Sequence, residues 1–173
     1  NTTGENNVAV GAYALDASTT APRNVAIGAY AMSSSTTGEQ NVAVGQATMQ
    51  NLTTGHNNTV VGQTAGYNLT TGAENVAIGR AAMYTVQGSS NNVAIGYEAL
   101  YTGNVGNTVA IGFKALKYNS ATGYNNTAVG YLALTANTTA GSNTAIGSSS
   151  LLSNTTGAQN TALGAFSLYA NTT

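Results

Sequence analysis

A five-residue pattern, Asn-x-Ala-Val/Ile-Gly, returns along this chain with a period of 17 residues, and a period of that length restricts the fold to stacked coils. Its glycine stands at Gly11, Gly28, Gly45, Gly62, Gly79, Gly96, Gly112, Gly130, Gly147 and Gly164. The steps are 17 residues, except for 16 into Gly112 and 18 out of it. The slip cancels itself, as a local turn variant would in a register held elsewhere. The phase is the same at Asn1-Thr2-Thr3 and at Asn171-Thr172-Thr173, and neither end carries a distinct capping repeat. Residues 1–173 therefore read as a single repeat array, a piece of a longer fibre.

Each phase of the coil makes its own demand. The residue before the glycine is always branched or aliphatic: Val10, Ile27, Val44, Val61, Ile78, Ile95, Ile111, Val129, Ile146 and Leu163. Four residues after the glycine stand Leu15, Met32, Met49, Met83, Leu100, Leu116, Leu134, Leu151 and Leu168, with Gly66 as the exception. These two columns are the expected core. Between them alanine recurs two before the glycine, with Val60 as the exception. The large-small-large alternation predicts a strand, with alanine on the opposite face where another chain approaches closely. Asparagine stands four before the glycine at Asn7, Asn24, Asn41, Asn58, Asn75, Asn92, Asn126, Asn143 and Asn160. A stack of one identical polar residue per coil reads as a structural ladder that caps the turn; the competing reading is a glycan-binding strip.

Asn-x-Thr-Thr-Gly stretches supply turn chemistry, since glycine and asparagine tolerate positive φ. Seventeen residues suit two short strands and two turns per coil, at a rise of about 4.8 Å. The predicted fold is all-β: a repetitive parallel β-roll, or β-solenoid, of ten coils. A helical solenoid is disfavoured because Asn, Thr and Gly are poor helix formers. A thin coil buries few large side chains for the backbone it must order, so we expect an intertwined homotrimer. The alanine face and tyrosines such as Tyr13, Tyr30, Tyr97, Tyr101, Tyr131 and Tyr169 would meet between chains.

Composition narrows function by exclusion. Charged residues are 5% of the chain against about 25% in an average soluble protein. With a net charge of −1 there is no basic stripe for nucleic acid or anionic lipid. There is no cysteine, hence no disulfide framework or thiolate metal site. No apolar run approaches the roughly 20 residues needed to span a bilayer, and no cofactor motif is present. The one histidine, His56, and the one aspartate, Asp16, lie about 14 Å apart along the stack, too far for a catalytic triad. Glu39 and Glu74, about 10 Å apart by the same rise, approach the spacing of inverting glycosidase carboxylates. Their turn-rich setting offers nothing to raise one pKa. We expect no enzyme, metal or cofactor here. The Asn-x-Thr sequons at Asn1, Asn51, Asn57, Asn68, Asn125, Asn137, Asn154 and Asn171 read as turn composition.

The segments Asn7-Val8-Ala9-Val10-Gly11, Asn92-Val93-Ala94-Ile95-Gly96 and Asn143-Thr144-Ala145-Ile146-Gly147 resemble the head repeats of YadA-type trimeric autotransporter adhesins. They resemble still more closely the repeat arrays of phage tail-fibre proteins. The resemblance extends over every coil, although the adhesin repeat is shorter and lacks the Asn-Thr-Thr-Gly turn. It implies an obligate parallel homotrimer, a left-handed β-roll, and a location at a cell surface or on a virion tail fibre. The implied role is structural and adhesive, with self-association and a surface glycan or protein receptor as partners. Two rival functions differ in class. Ice binding would use the recurrent Thr-Thr pairs as a ladder; a curli-like functional amyloid would assemble end to end from monomers.

Overall fold

The computed structural model describes residues 3–104, 106–120 and 122–173. Among the described residues there is no helix. Ten strands form one parallel sheet in strict chain order: β1 (Val8–Val10), β2 (Val25–Ile27), β3 (Val42–Val44), β4 (Thr59–Val61), β5 (Val76–Ile78), β6 (Val93–Ile95), β7 (Val109–Ile111), β8 (Thr127–Val129), β9 (Thr144–Ile146) and β10 (Thr161–Leu163). The chain is a β-solenoid of about nine turns.

Identical phases face each other throughout, as in Ala26 with Ala43 and Val76 with Val93. Around the slip Ala94 still pairs with Ala110, and Ala110 with Ala128. The short and long steps are thus absorbed in the turns, as expected of a local variant in a held register.

Each coil contains one named strand, where the sequence predicts two. The Leu/Met segment is not extended, because two of its residues adopt left-handed backbone: Glu98 and Leu100, for example, have φ of 53° and 47°. Beyond the ten strands, the described residues add an isolated bridge, Thr102 with Tyr118. The segment still bonds along the axis. The Leu15 N–H donates to the Ala31 carbonyl at 3.1 Å, and that of Met83 to Ala99 at 3.0 Å. Left-handed backbone costs a non-glycine residue roughly 1–2 kcal/mol. Burying a leucine or methionine returns about 1.5–3 kcal/mol, which offsets the strain at that position.

The strands face the other way from the sequence expectation. Alanine points inward: Ala26, Ala43, Ala77, Ala94, Ala110, Ala128 and Ala145 are fully buried, and Val60 with them. It is therefore no interchain face. Val10, Ile27, Val44, Val61, Ile78, Ile95, Ile111, Val129, Ile146 and Leu163, expected in the core, lie on the outer face, half-buried or exposed. Across the narrow lumen the Leu/Met column already fills the interior, so only a methyl group fits opposite it. That column is the core as expected from Leu15 to Leu151; Leu168, in the last coil, is instead 47% exposed. A second internal column, Leu52, Leu69 and Val86, lies three residues further on and completes the apolar filling.

The phase-setting glycines are held by two constraints. Gly79 has φ of 128°, and a Cβ there would lie 2.6 Å from the carbonyl oxygen of Gly96 in the next coil.

Candidate interaction surfaces

The asparagine column is built into the wall of the coil. At Asn75 the backbone N–H and Nδ2 both donate to Asn58 Oδ1 at 3.0 Å, and Nδ2 also donates to the Ser89 carbonyl at 2.8 Å. Its own Oδ1 accepts the Asn92 N–H at 3.0 Å. Each carboxamide thereby satisfies backbone groups that the turn would otherwise leave buried and unpaired, at about 1–3 kcal/mol each. Asn24, Asn41, Asn58, Asn75, Asn92, Asn126 and Asn143 are fully buried, so their side chains are closed to a ligand. Asn7 and Asn160 are partly buried in the terminal coils. Thr108, in the slipped coil, accepts the ladder through its N–H, which donates to Asn92 Oδ1 at 3.1 Å, but has no carboxamide to continue it.

Sequence reading missed a second ladder. In the C-terminal coils Asn137 Nδ2 donates to Asn119 Oδ1, Asn154 Nδ2 to Asn137 Oδ1, and Asn171 Nδ2 to Asn154 Oδ1 at 2.9–3.1 Å. It occupies the column that holds Leu52, Leu69 and Val86 earlier. Asn137 and Asn154 are sequon asparagines, and both are buried. Asn1 lies outside the described residues. The threonine pairs are similarly engaged: Thr53 Oγ1 donates to the Thr70 carbonyl and Thr138 Oγ1 to that of Thr155, each at 3.0 Å. Those hydroxyls bond the stack to itself.

Two surfaces remain for a partner. The first is the outer face of the sheet, where two columns of Val, Ile, Thr and one Leu run the length of the stack without a charged residue. Val10 is 55% exposed, Ile27 38%, and Ile78 and Ile146 39% each.

The second surface is aromatic and cationic. Of the tyrosines expected between chains, Tyr13, Tyr30, Tyr97, Tyr101 and Tyr131 stack coil upon coil within one chain, whereas Tyr169 tilts against Phe166 at 5.8 Å. Tyr67, Tyr84 and Tyr101 form one track at centroid spacings of 5.2 Å, and Tyr97, Phe113 and Tyr131 another at 5.4 and 5.3 Å. Tyr13 stacks on Tyr30 at 5.0 Å. Lys117 lies 5.6 Å from the Tyr101 ring and Arg80 5.6 Å from the Tyr97 ring, so a cation stands at one end of each track. Lys114 sits over Phe113 at 4.8 Å and beside Tyr97 at 5.9 Å. Between the tracks Lys117 Nζ meets Glu98 Oε2 at 2.7 Å. Burial pushes the Glu98 carboxyl up, but contacts with Lys117 and Tyr97 and the charges of Lys117 and Lys114 outweigh it and hold it below its ordinary value. The contact with Glu98 raises the Lys117 ammonium against its own burial. The Tyr97 phenol is raised by its contact with Glu98, with burial adding to it. The signal in the sequence was the run Arg80, Tyr97, Phe113, Tyr131 at repeat spacing, among alanine, glutamine and serine in the other coils.

A polar cavity of about 310 Å³, lined by residues including Ser89, Ser90, Asn104, Asn107 and Tyr124, opens where the threonine pairs lapse. His56, Asp16, Glu39 and Glu74 are exposed. Among the described residues no group of three or more His, Cys, Asp or Glu side chains could hold a metal, and no helix is long and apolar enough to cross a membrane. No protein-family model, curated protein or solved structure matches the chain.

Proposed function

We propose that the chain is a rigid structural segment of an extracellular adhesive fibre, on a cell surface or a virion tail, that assembles as a homotrimer through the outer face of its sheet. The observation that carries this reading is the uncharged, branched stripe running over ten strands, half-buried or exposed along its length. Two residues of strand give a width of about 7 Å, and ten rungs a length of about 45 Å, or roughly 300 Å². Such a patch is as large as the largest on many monomers but below the roughly 800 Å² per partner of a stable complex. Assembly must therefore recruit the flanking columns, and its strength grows with coil number. The resemblance of the Asn-x-Ala-Val/Ile-Gly motif to trimeric adhesins and tail fibres supports the same assembly and supplies the adhesive part of the reading.

Light scattering on the wild type and on a variant with Ile27→Lys, Ile78→Lys and Ile146→Lys tests the interface. Desolvating a charge costs several kcal/mol, so the variant should run as a monomer with an unchanged circular dichroism spectrum. A variant that keeps the wild-type multimer mass would sink the assignment.

The same face favours one other reading, ice binding, because its columns repeat in register from rung to rung. That reading moves the binding surface from the threonine pairs to the strands. A monomeric wild type with thermal hysteresis, abolished in the triple lysine variant, would select it over the fibre.

A further inference from the structure

We infer that the fifth to eighth coils carry a binding site for an acidic, carboxylate-bearing polysaccharide, formed by Arg80, Tyr97, Phe113, Lys114 and Tyr131. This names a receptor class for the adhesive part of the proposed function and rests on that reading, but it needs only the surface of one chain.

Charge is the first argument. The chain has four Lys and Arg residues, and three of them, Arg80, Lys114 and Lys117, gather on this patch with a single acid, Glu98. The patch carries +2 (three cations less one acid) while the whole chain carries −1, so the remainder carries −3. Lys117 is spent on Glu98. Among the described residues Arg80 and Lys114 form no ion pair, although the Lys114 charge acts on Glu98, and both stand within 6 Å of the Tyr97 ring, at 5.6 and 5.9 Å. They flank one aromatic ring, Arg80 from the preceding coil and Lys114 from the following one.

Sugar chemistry is the second argument. Phe113 is 39% exposed and Tyr131 54%. Phe113 stacks on one side of Tyr131, while the next rung at that phase is Ser148, too small to cover the other. An open aromatic face beside a hydrogen-bonding residue suits the apolar side of a pyranose ring. A pyranose is close in length to the rung spacing of about 4.8 Å, so a linear chain that starts on the open Tyr131 face passes the exposed edges of Phe113 and Tyr97 at about one rung per sugar. Carboxylates on its successive sugars would reach Arg80 and Lys114 separately, each by a charge-assisted contact. Nucleic acid fits poorly, since two free cations cannot track a phosphate backbone. An acidic peptide would find the cations but has no use for the aromatic track.

Titration calorimetry on the whole chain tests this, with oligogalacturonate and oligosialate as probes, a neutral cello-oligosaccharide of equal length, and polyglutamate. At least one acidic oligosaccharide should bind, and Arg80→Gln with Lys114→Gln should weaken it by about tenfold or more. Tyr131→Ala should weaken it too, while Arg23→Gln leaves it unchanged. Circular dichroism confirms that each variant is folded. Binding of neither acidic oligosaccharide would overturn the inference. So would equal binding of the neutral one, equal binding of polyglutamate, or an equal loss on Arg23→Gln. None of these results alters the chain's mass in solution, so failure here is distinct from failure of the fibre reading.

Discussion

Val60 and Gly66 are the two departures from their columns, and they occupy one coil. Val60 stands where the other strands have alanine, and Gly66 where the other coils have leucine or methionine. A Cβ on Gly66 would lie 3.4 Å and 3.7 Å from the two Val60 methyls and 3.2 Å from Met49 Cγ. The valine fills what the glycine leaves empty. Val60→Ala should cost about 1–3 kcal/mol through the cavity it opens, and Gly66→Leu about as much through overpacking. The double variant restores the consensus of the other coils, so it should be more stable than either single one. A double-mutant cycle in denaturant should give a coupling of about 0.5–3 kcal/mol; additive costs would refute the exchange. At this scale the sequence displayed each exception. It did not show that they touch, because their distance depends on which strand face is internal. The Asn and Gly columns were legible, since a stacked turn demands the same polar or flexible residue once in every period.

At the scale of the coil, alternation located the strand but not its orientation. A large-small-large triplet fits a core on either side of the strand, and burial of the larger residues is the usual choice. The deciding fact was the volume already taken by Met32, Met49, Met83 and the leucines of their column. Their left-handed backbone, and the loss of the expected second strand, were also hidden, because such φ values ordinarily select glycine or asparagine. The Glu98–Lys117 pair ties the sixth coil to the seventh beside the register slip, with both side chains 16% exposed. Glu98 is held below its ordinary value, so its contribution is present above the unfolded carboxylate pKa and is lost as pH falls through the lower folded value. Lys117 is raised, so its contribution is present below the ordinary lysine value and is lost as pH rises through the folded one. The pair's own contribution should be level between these limbs and decline beyond each. Denaturation midpoints across pH should show Glu98→Gln losing the acid limb; an unchanged acid limb would show that the pair contributes nothing there.

For the whole molecule, coil number sets both length and cohesion. Ten rungs give about 45 Å, and each adds two half-exposed branched residues to the outer stripe. The array, its period and its all-β character could be read from sequence because repetition averages over local ambiguity. The aromatic and cationic patch was displayed as the run Arg80, Tyr97, Phe113, Tyr131 at repeat spacing, but it departs from the consensus, and its contacts with Lys114 depend on side-chain directions that the repeat does not give. The central claim is that the outer stripe is covered by other copies of this chain. Sedimentation equilibrium after proteolytic removal of a fused trimerisation tag tests it most directly. The account predicts a stable mass of three times 17.3 kDa that persists on dilution. A single species of 17.3 kDa would contradict it, leaving a solenoid that folds alone with its stripe in water.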